Sequence, residues 1–275
     1  MKLKAFVASA LVALCTFAAN AFSTDTINVP TKYLEKPMRV TVIVPEAAAK
    51  RTDLPTVYLL NGHGGDYRSW GKIRPDLGRY ADYYGMVFVM PSGLNSWYWD
   101  SPVNQKLQME SFFVKDLVPY INTHYPVADN AEKRAITGLS MGGHGAFWLG
   151  LHHPDIWKNI GSTSGGVNIL PFPERWNMSN ALGKYEDNPT RWEEHTIINQ
   201  IELFKANKQN IIFDCGTNDV FTQVNNDLHN ALLEANVPHD YISRPGQHNM
   251  EYWSNSILYQ LLYFQLRFKK ANTAK

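Results

Sequence analysis

The segment Gly138-Leu139-Ser140-Met141-Gly142-Gly143 carries residue types and a spacing that could do chemistry. The pattern G-x-S-x-G between a short apolar strand and a helix forces a sharp turn that lifts a serine hydroxyl clear of its neighbours. Glycines belong at the flanks because strand and helix approach too closely there for side chains. Such a hydroxyl attacks a carbonyl carbon once a base takes its proton and an acid orients the base. The helix behind it presents its positive end to a developing oxyanion.

On a sheet of this kind the three groups follow the chain order serine, acid, histidine. Asp219 sits in the loop just past the strand Ile211 to Asp214, where the acid belongs. Asp214 is the alternative, but it lies nearer the strand body and is expected to satisfy backbone donors. Asp240 opens the next strand, at the wrong end of the sheet. His248 follows the last strand in a Pro-Gly loop and is the expected base. His144 is expected to pack within the helix after Ser140. His152, His153, His229 and His239 lie on helices or ahead of a strand.

An oxyanion needs two N–H donors, one from the residue after the nucleophile and one from the loop after an early strand. Met141 supplies the first. The second is expected from the backbone of His63, in Leu59-Leu60-Asn61-Gly62-His63-Gly64-Gly65. For the substrate, Trp97 and Tyr98 follow another strand and offer ring faces to a sugar or a phenolic acyl group, as does Trp176 further on. Trp192 could close over the same mouth. The competing expectation is that most of these rings pack against the sheet.

Elements must position these groups. Apolar runs at Arg39–Val44, Pro55–Leu60, Met86–Met90, Arg134–Thr137, Ile160–Thr163, Ile211–Asp214 and Asp240–Ser243 read as strands. Helical spacing at Leu77–Tyr84, Ser111–His124, His144–His152, Gln223–Ala235 and Trp253–Phe268 separates most of them. Alternation of this kind implies an α/β fold, a mostly parallel central sheet with helices on both faces. Residues 165–200 break the pattern and read as a small insertion or lid over one end of the sheet.

Composition narrows the function classes. The chain has 275 residues, 44% of them hydrophobic, with 26 basic against 25 acidic side chains. That is enough apolar material for one sizeable core, and it leaves no basic excess to bind nucleic acid. Two cysteines exclude a disulfide-stapled scaffold and a four-cysteine zinc site. No H-E-x-x-H, phosphate loop or G-x-G-x-x-G pattern competes, so no metal and no cofactor is expected.

Residues 1–21 have the plan of a secretory signal peptide: Lys2 and Lys4, an uncharged apolar stretch, then Ala19-Asn20-Ala21. The expectation is cleavage after Ala21, a single domain over 22–275, no membrane span thereafter, and a periplasmic or secreted destination. Cys15 would leave with the segment, and Cys215 would remain as a buried small hydrophobe.

From about residue 38 to 265 these motifs resemble the esterase D-like family of α/β-hydrolases. That family includes S-formylglutathione hydrolases, tributyrin-type esterases, feruloyl and acetyl-xylan esterases, and mycolyltransferases of the antigen 85 type. The carriers are Val57-Tyr58-Leu59-Leu60-Asn61-Gly62-His63-Gly64-Gly65, Gly138-Leu139-Ser140-Met141-Gly142-Gly143, the Asp219 loop and the His248 loop. The resemblance implies an α/β-hydrolase fold, with Ser140, Asp219 and His248 as the catalytic residues and His63 and Met141 as the oxyanion donors. Many relatives have histidine where this chain has Asn61, which should shift packing in that loop. The function implied is a serine carboxylic-ester hydrolase, acting on feruloyl or acetyl esters of plant polysaccharides or on similar small esters. An acyltransferase of the antigen 85 type and a catalytically silent carbohydrate-binding protein are the alternatives.

Overall fold

The computed structural model describes residues 22–273. Eight strands form one sheet: β1 (Ser23–Val29), β2 (Met38–Val44), β3 (Thr56–Leu60), β4 (Val87–Pro91), β5 (Arg134–Gly138), β6 (Asn159–Thr163), β7 (Asn210–Gly216) and β8 (Asp240–Arg244). Their order is β1-β2-β4-β3-β5-β6-β7-β8. β1 pairs antiparallel with β2, and β2 antiparallel with β4, while β4 through β8 run parallel. The α/β-hydrolase reading of the sequence therefore holds.

The central strands are apolar because both faces are covered. Along β3, Val57 and Leu59 join one core cluster while Tyr58 and Leu60 join the other. β4 alternates likewise, with Val87 and Val89 on one face and Phe88 and Met90 on the opposite face. One face is packed by α1 (Ser69–Ile73), α2 (Leu77–Tyr84) and α10 (Met250–Thr273) through Trp70, Leu77, Leu261 and Phe264. The other takes α3 (Met109–Phe112), a π turn, α4 (Val118–His124), α5 (Met141–His152), and later α8 (Ile201–Asn207) and α9 (Thr222–Glu234). Each fully buried aliphatic side chain stabilises this arrangement by about 1.5–3 kcal/mol relative to exposure. α5 is buried on nearly every side, as a helix that is apolar all round should be.

Some elements gave no apolar signal. β1 is Ser-Thr-Asp-Thr-Ile-Asn-Val, mostly exposed, and is held by its backbone pairing to β2. α1 and α8, of five and seven residues, are too short to show an apolar period. The segment 165–200 does lie over the carboxyl end of the sheet, carrying α6 (Met178–Leu182) and α7 (Pro189–Glu194). It is anchored rather than loose: Val167, Ile169, Met178, Leu182 and Trp192 all enter the core. Trp192 donates to the carbonyl of Gly183 at 3.1 Å and is wholly buried, so it closes over no mouth. The expected signal peptide, residues 1–21, lies outside the described residues.

Candidate active site

Ser140 stands between β5 and α5 with φ 57° and ψ −119°. A non-glycine residue there is strained, at a cost of about 1–3 kcal/mol, and persists only where the surroundings fix it. They do so here. The Ser140 N–H donates to the carbonyl of Thr163 at 2.9 Å. Gly142 brings α5 against β3 so closely that an added Cβ would lie 2.5 Å from the Leu60 carbonyl oxygen. Any side chain at 142 would push the helix, and Ser140 with it, away from the sheet.

His248 comes from the loop between β8 and α10, and its Nε2 is 2.9 Å from the Ser140 hydroxyl. Its Nδ1 is 2.9 Å from each carboxylate oxygen of Asp219, which comes from the loop between β7 and α9. An ionised carboxylate only accepts, so Nδ1 donates and Nε2 keeps its lone pair for the serine proton. The Asp219 side chain is 0% exposed and also accepts the Phe221 N–H at 2.9 Å. The two loops are stitched together: the Asn218 N–H donates to Gly246 at 2.9 Å and the Thr217 N–H to Arg244 at 3.0 Å. Phe221 and Trp253 meet the His248 ring edge-on at 5.3 and 5.0 Å, holding its plane.

The rival groups are engaged elsewhere. Asp214 is buried, and burial raises its carboxyl pKa against the opposing pull of its partners. The expectation that it serves backbone donors needs correction. It accepts from three side chains: Ser256, Gln260 at 2.7 Å and Thr163 at 3.0 Å. Ser256 and Gln260 belong to α10, so this carboxyl docks the last helix. His144 accepts from the Trp99 indole at 2.9 Å and donates to Gly166 at 2.9 Å, and burial pushes its pKa down to about 3. It stays neutral and structural. Cys215 is a free, buried thiol whose pKa burial raises.

The loop after β3 is fixed by Asn61. Its side chain accepts the Gly93 N–H at 2.9 Å and donates to Gly62 at 2.8 Å, while the Tyr98 hydroxyl donates to its carbonyl at 2.9 Å. The Gly64 N–H is taken by Asn95 at 2.7 Å and the Gly65 N–H by Gly62 at 3.1 Å. Among the described residues, the N–H groups of His63 and Met141 donate to no protein acceptor. They are therefore available to an oxyanion beside Ser140. Asn61 and Asn95 thus position the loop, a role visible in the sequence only as the departure from the family's histidine.

An open cleft of about 370 Å³ leads to Ser140 and His248. Its walls include Leu139, Trp176, Trp253, Met250, Ile73 and Lys72. Of the three candidate substrate residues, Trp176 lines it and the other two do not. Trp97 is 1% exposed and Tyr98 0%. Left-handed backbone at Leu94, Asn95, Trp97 and Tyr98 folds the loop back under the site. There Trp97 stacks on Trp99, and Tyr98 lies against α5 at Gly145. Trp97 instead donates its indole N–H to the Trp176 carbonyl at 3.3 Å. Trp253 and Met250, from the first turn of α10, are cleft residues that the sequence did not announce. Among the described residues, no three His, Cys, Asp or Glu side chains converge as metal ligands. No described helix is long and apolar enough to cross a membrane.

A family model described as a putative esterase matches residues 31–264. The chain is 25% identical over 251 residues to an acetyl esterase of Caldicellulosiruptor saccharolyticus, covering 84% of this chain and 94% of that one. Among solved structures it superposes on the fluorophosphonate-binding serine hydrolase F of Staphylococcus aureus with a TM-score of 0.77 at 20% identity, covering 89% and 99% of the two chains. It superposes on a ferulic acid esterase with a TM-score of 0.75 at 24% identity, covering 90% and 98%.

Proposed function

This chain belongs to the putative esterase family, and on that footing we propose that it is an exported serine esterase working through an acyl-enzyme. The observation that carries the mechanism is the unbroken hydrogen-bonded line from the Ser140 hydroxyl through His248 to buried Asp219, open to the cleft. Ser140 Oγ attacks the ester carbonyl as its proton passes to His248 Nε2. Asp219 stabilises the imidazolium. The carbonyl oxygen, now negative, lies against the N–H groups of His63 and Met141. Collapse breaks the bond to the alcohol, which leaves with the proton from His248. Water then repeats the sequence against the acyl-enzyme, releasing the acid and restoring Ser140.

For substrate, the reading is a feruloyl or acetyl ester of a plant polysaccharide, or a similar small ester. The names of the acetyl esterase and ferulic acid esterase relatives support it. So does a cleft bounded by Trp176 and Trp253, which suits a ring. Export rests on the charged, apolar and small-residue succession of residues 1–21.

The test is hydrolysis of p-nitrophenyl acetate by the chain and by its Ser140→Ala variant, followed by a panel of feruloyl and acetyl-sugar esters. Turnover by the unchanged chain alone supports the reading. Equal rates in both sink Ser140 as nucleophile. Inactivity of both folded proteins toward the whole panel favours a silent carbohydrate binder. Products analysed with an added acceptor alcohol separate hydrolysis from acyl transfer.

A further inference from the structure

The cleft has two unlike walls. Trp176 stands on the insertion side. Lys72 and Ile73, at the end of α1, stand with Met250 and Trp253, at the start of α10. Trp253 packs edge-on against the His248 ring at 5.0 Å. The departing alcohol must collect its proton from His248, so the wall beside that ring faces the leaving group. Lys72 is the only permanently charged side chain among the residues lining the cleft. It is exposed and enters no ion pair among the described residues. Asp66, the acid whose field it shares, is already gripped by the backbone and guanidinium of Arg68. An unpaired ammonium beside Ile73, Met250 and Trp253 offers a neutral alcohol little. It offers an anionic one a charge pair flanked by low-dielectric walls.

We propose that Lys72 is a specificity-determining residue that binds a carboxylate on the leaving alcohol, so that the favoured substrates are esters of acidic alcohols, the chemistry of a uronic-acid-bearing saccharide. The proposal rests on the ester-hydrolase reading and deepens it.

The matched probes are 4-acetoxybenzoate and its methyl ester, which release 4-hydroxybenzoate or methyl 4-hydroxybenzoate together with acetate. The quantity read is the ratio of kcat/KM for the anionic probe to that for the neutral one. In Lys72→Met this ratio should fall about five- to tenfold, chiefly through KM, and in Lys72→Glu further. Salt at about 0.5 M should bring the ratio of the unchanged chain toward that of Lys72→Met, since screening acts on exposed charges. An identical ratio in the unchanged chain and in Lys72→Met overturns the proposal. If a folded protein turns over neither probe, the hydrolase reading is what fails. Lys72 is then judged by quenching of tryptophan fluorescence by 4-hydroxybenzoate: tighter binding in the unchanged chain than in Lys72→Met sustains the proposal, and equal binding removes it.

Discussion

The imidazole Nε2 of His63 lies 2.9 Å from the side-chain oxygen of Asn177, across 114 residues of chain. The bond ties the loop carrying one proposed oxyanion donor to the insertion that carries Trp176. Its removal should loosen that donor without touching Ser140. Asn177 has a left-handed backbone, φ 55°, so glycine removes the side chain without adding strain. Asn177→Gly should lower kcat about tenfold with little change in melting temperature. Asn177→Asp, which keeps the acceptor, should retain most activity.

The two buried acids near the end of β7 should fail in different ways. Asp219→Asn keeps the shape but lets the amide donate to His248, favouring the wrong tautomer. We expect kcat to fall by about three to four orders of magnitude while the unfolding curve stays put. Asp214→Ala strands the Ser256, Gln260 and Thr163 donors. It should cost about 3 kcal/mol or more in urea unfolding, and the molecules that remain folded should still turn over substrate.

His144 makes stability fall in acid. Its folded pKa is about 3, against an ordinary value of 6.5. Above pH 6.5 neither state takes up the proton. Below it the unfolded chain does and the folded chain does not, so each further unit of acidification toward pH 3 costs about 1.4 kcal/mol. His144→Gln keeps a donor and an acceptor but cannot titrate. Between pH 6.5 and 4.5 it should lose roughly 2 kcal/mol less stability than the unchanged chain, measured by denaturant unfolding at both pH values.

Trp97 and Trp176 touch, with ring centroids 6.3 Å apart, yet they should report differently. Trp97→Ala empties a core site and should destabilise by about 3–5 kcal/mol. Trp176→Ala removes a wall of the cleft. It should raise KM for aryl esters several-fold while lowering the melting temperature less than Trp97→Ala does, since its ring is only half-buried, read by steady-state kinetics beside a thermal scan.

The placement of Ser140, Asp219 and His248 is legible in the sequence because each sits within a few residues of a strand end, and strand ends on a parallel sheet share an edge. The central strands are legible for a related reason: burial on both faces makes them continuous apolar runs. β1 is not, since its stability comes from backbone pairing that leaves polar side chains in water. Trp97 and Tyr98 look like mouth residues because they follow a strand at the right edge. Left-handed backbone at Leu94, Asn95, Trp97 and Tyr98 sends them inward, and none of these four is itself a glycine that would flag such a turn. The bonds of His63 to Asn177 and of Asp214 to α10 join distant segments, and no local pattern records them.

The docking of α10 onto Asp214 has a consequence for timing. His248 sits immediately ahead of that helix, and Ser256 and Gln260 clasp a carboxyl more than 40 residues earlier in the chain. No stretch that stops short of His248 holds a base for Ser140, whatever else it has assembled. A chain in which α10 has not docked therefore has no placed base, and turnover waits on that docking. In a refolding experiment the first product should appear no earlier than the docking of α10, so turnover reports that one long-range contact as it forms.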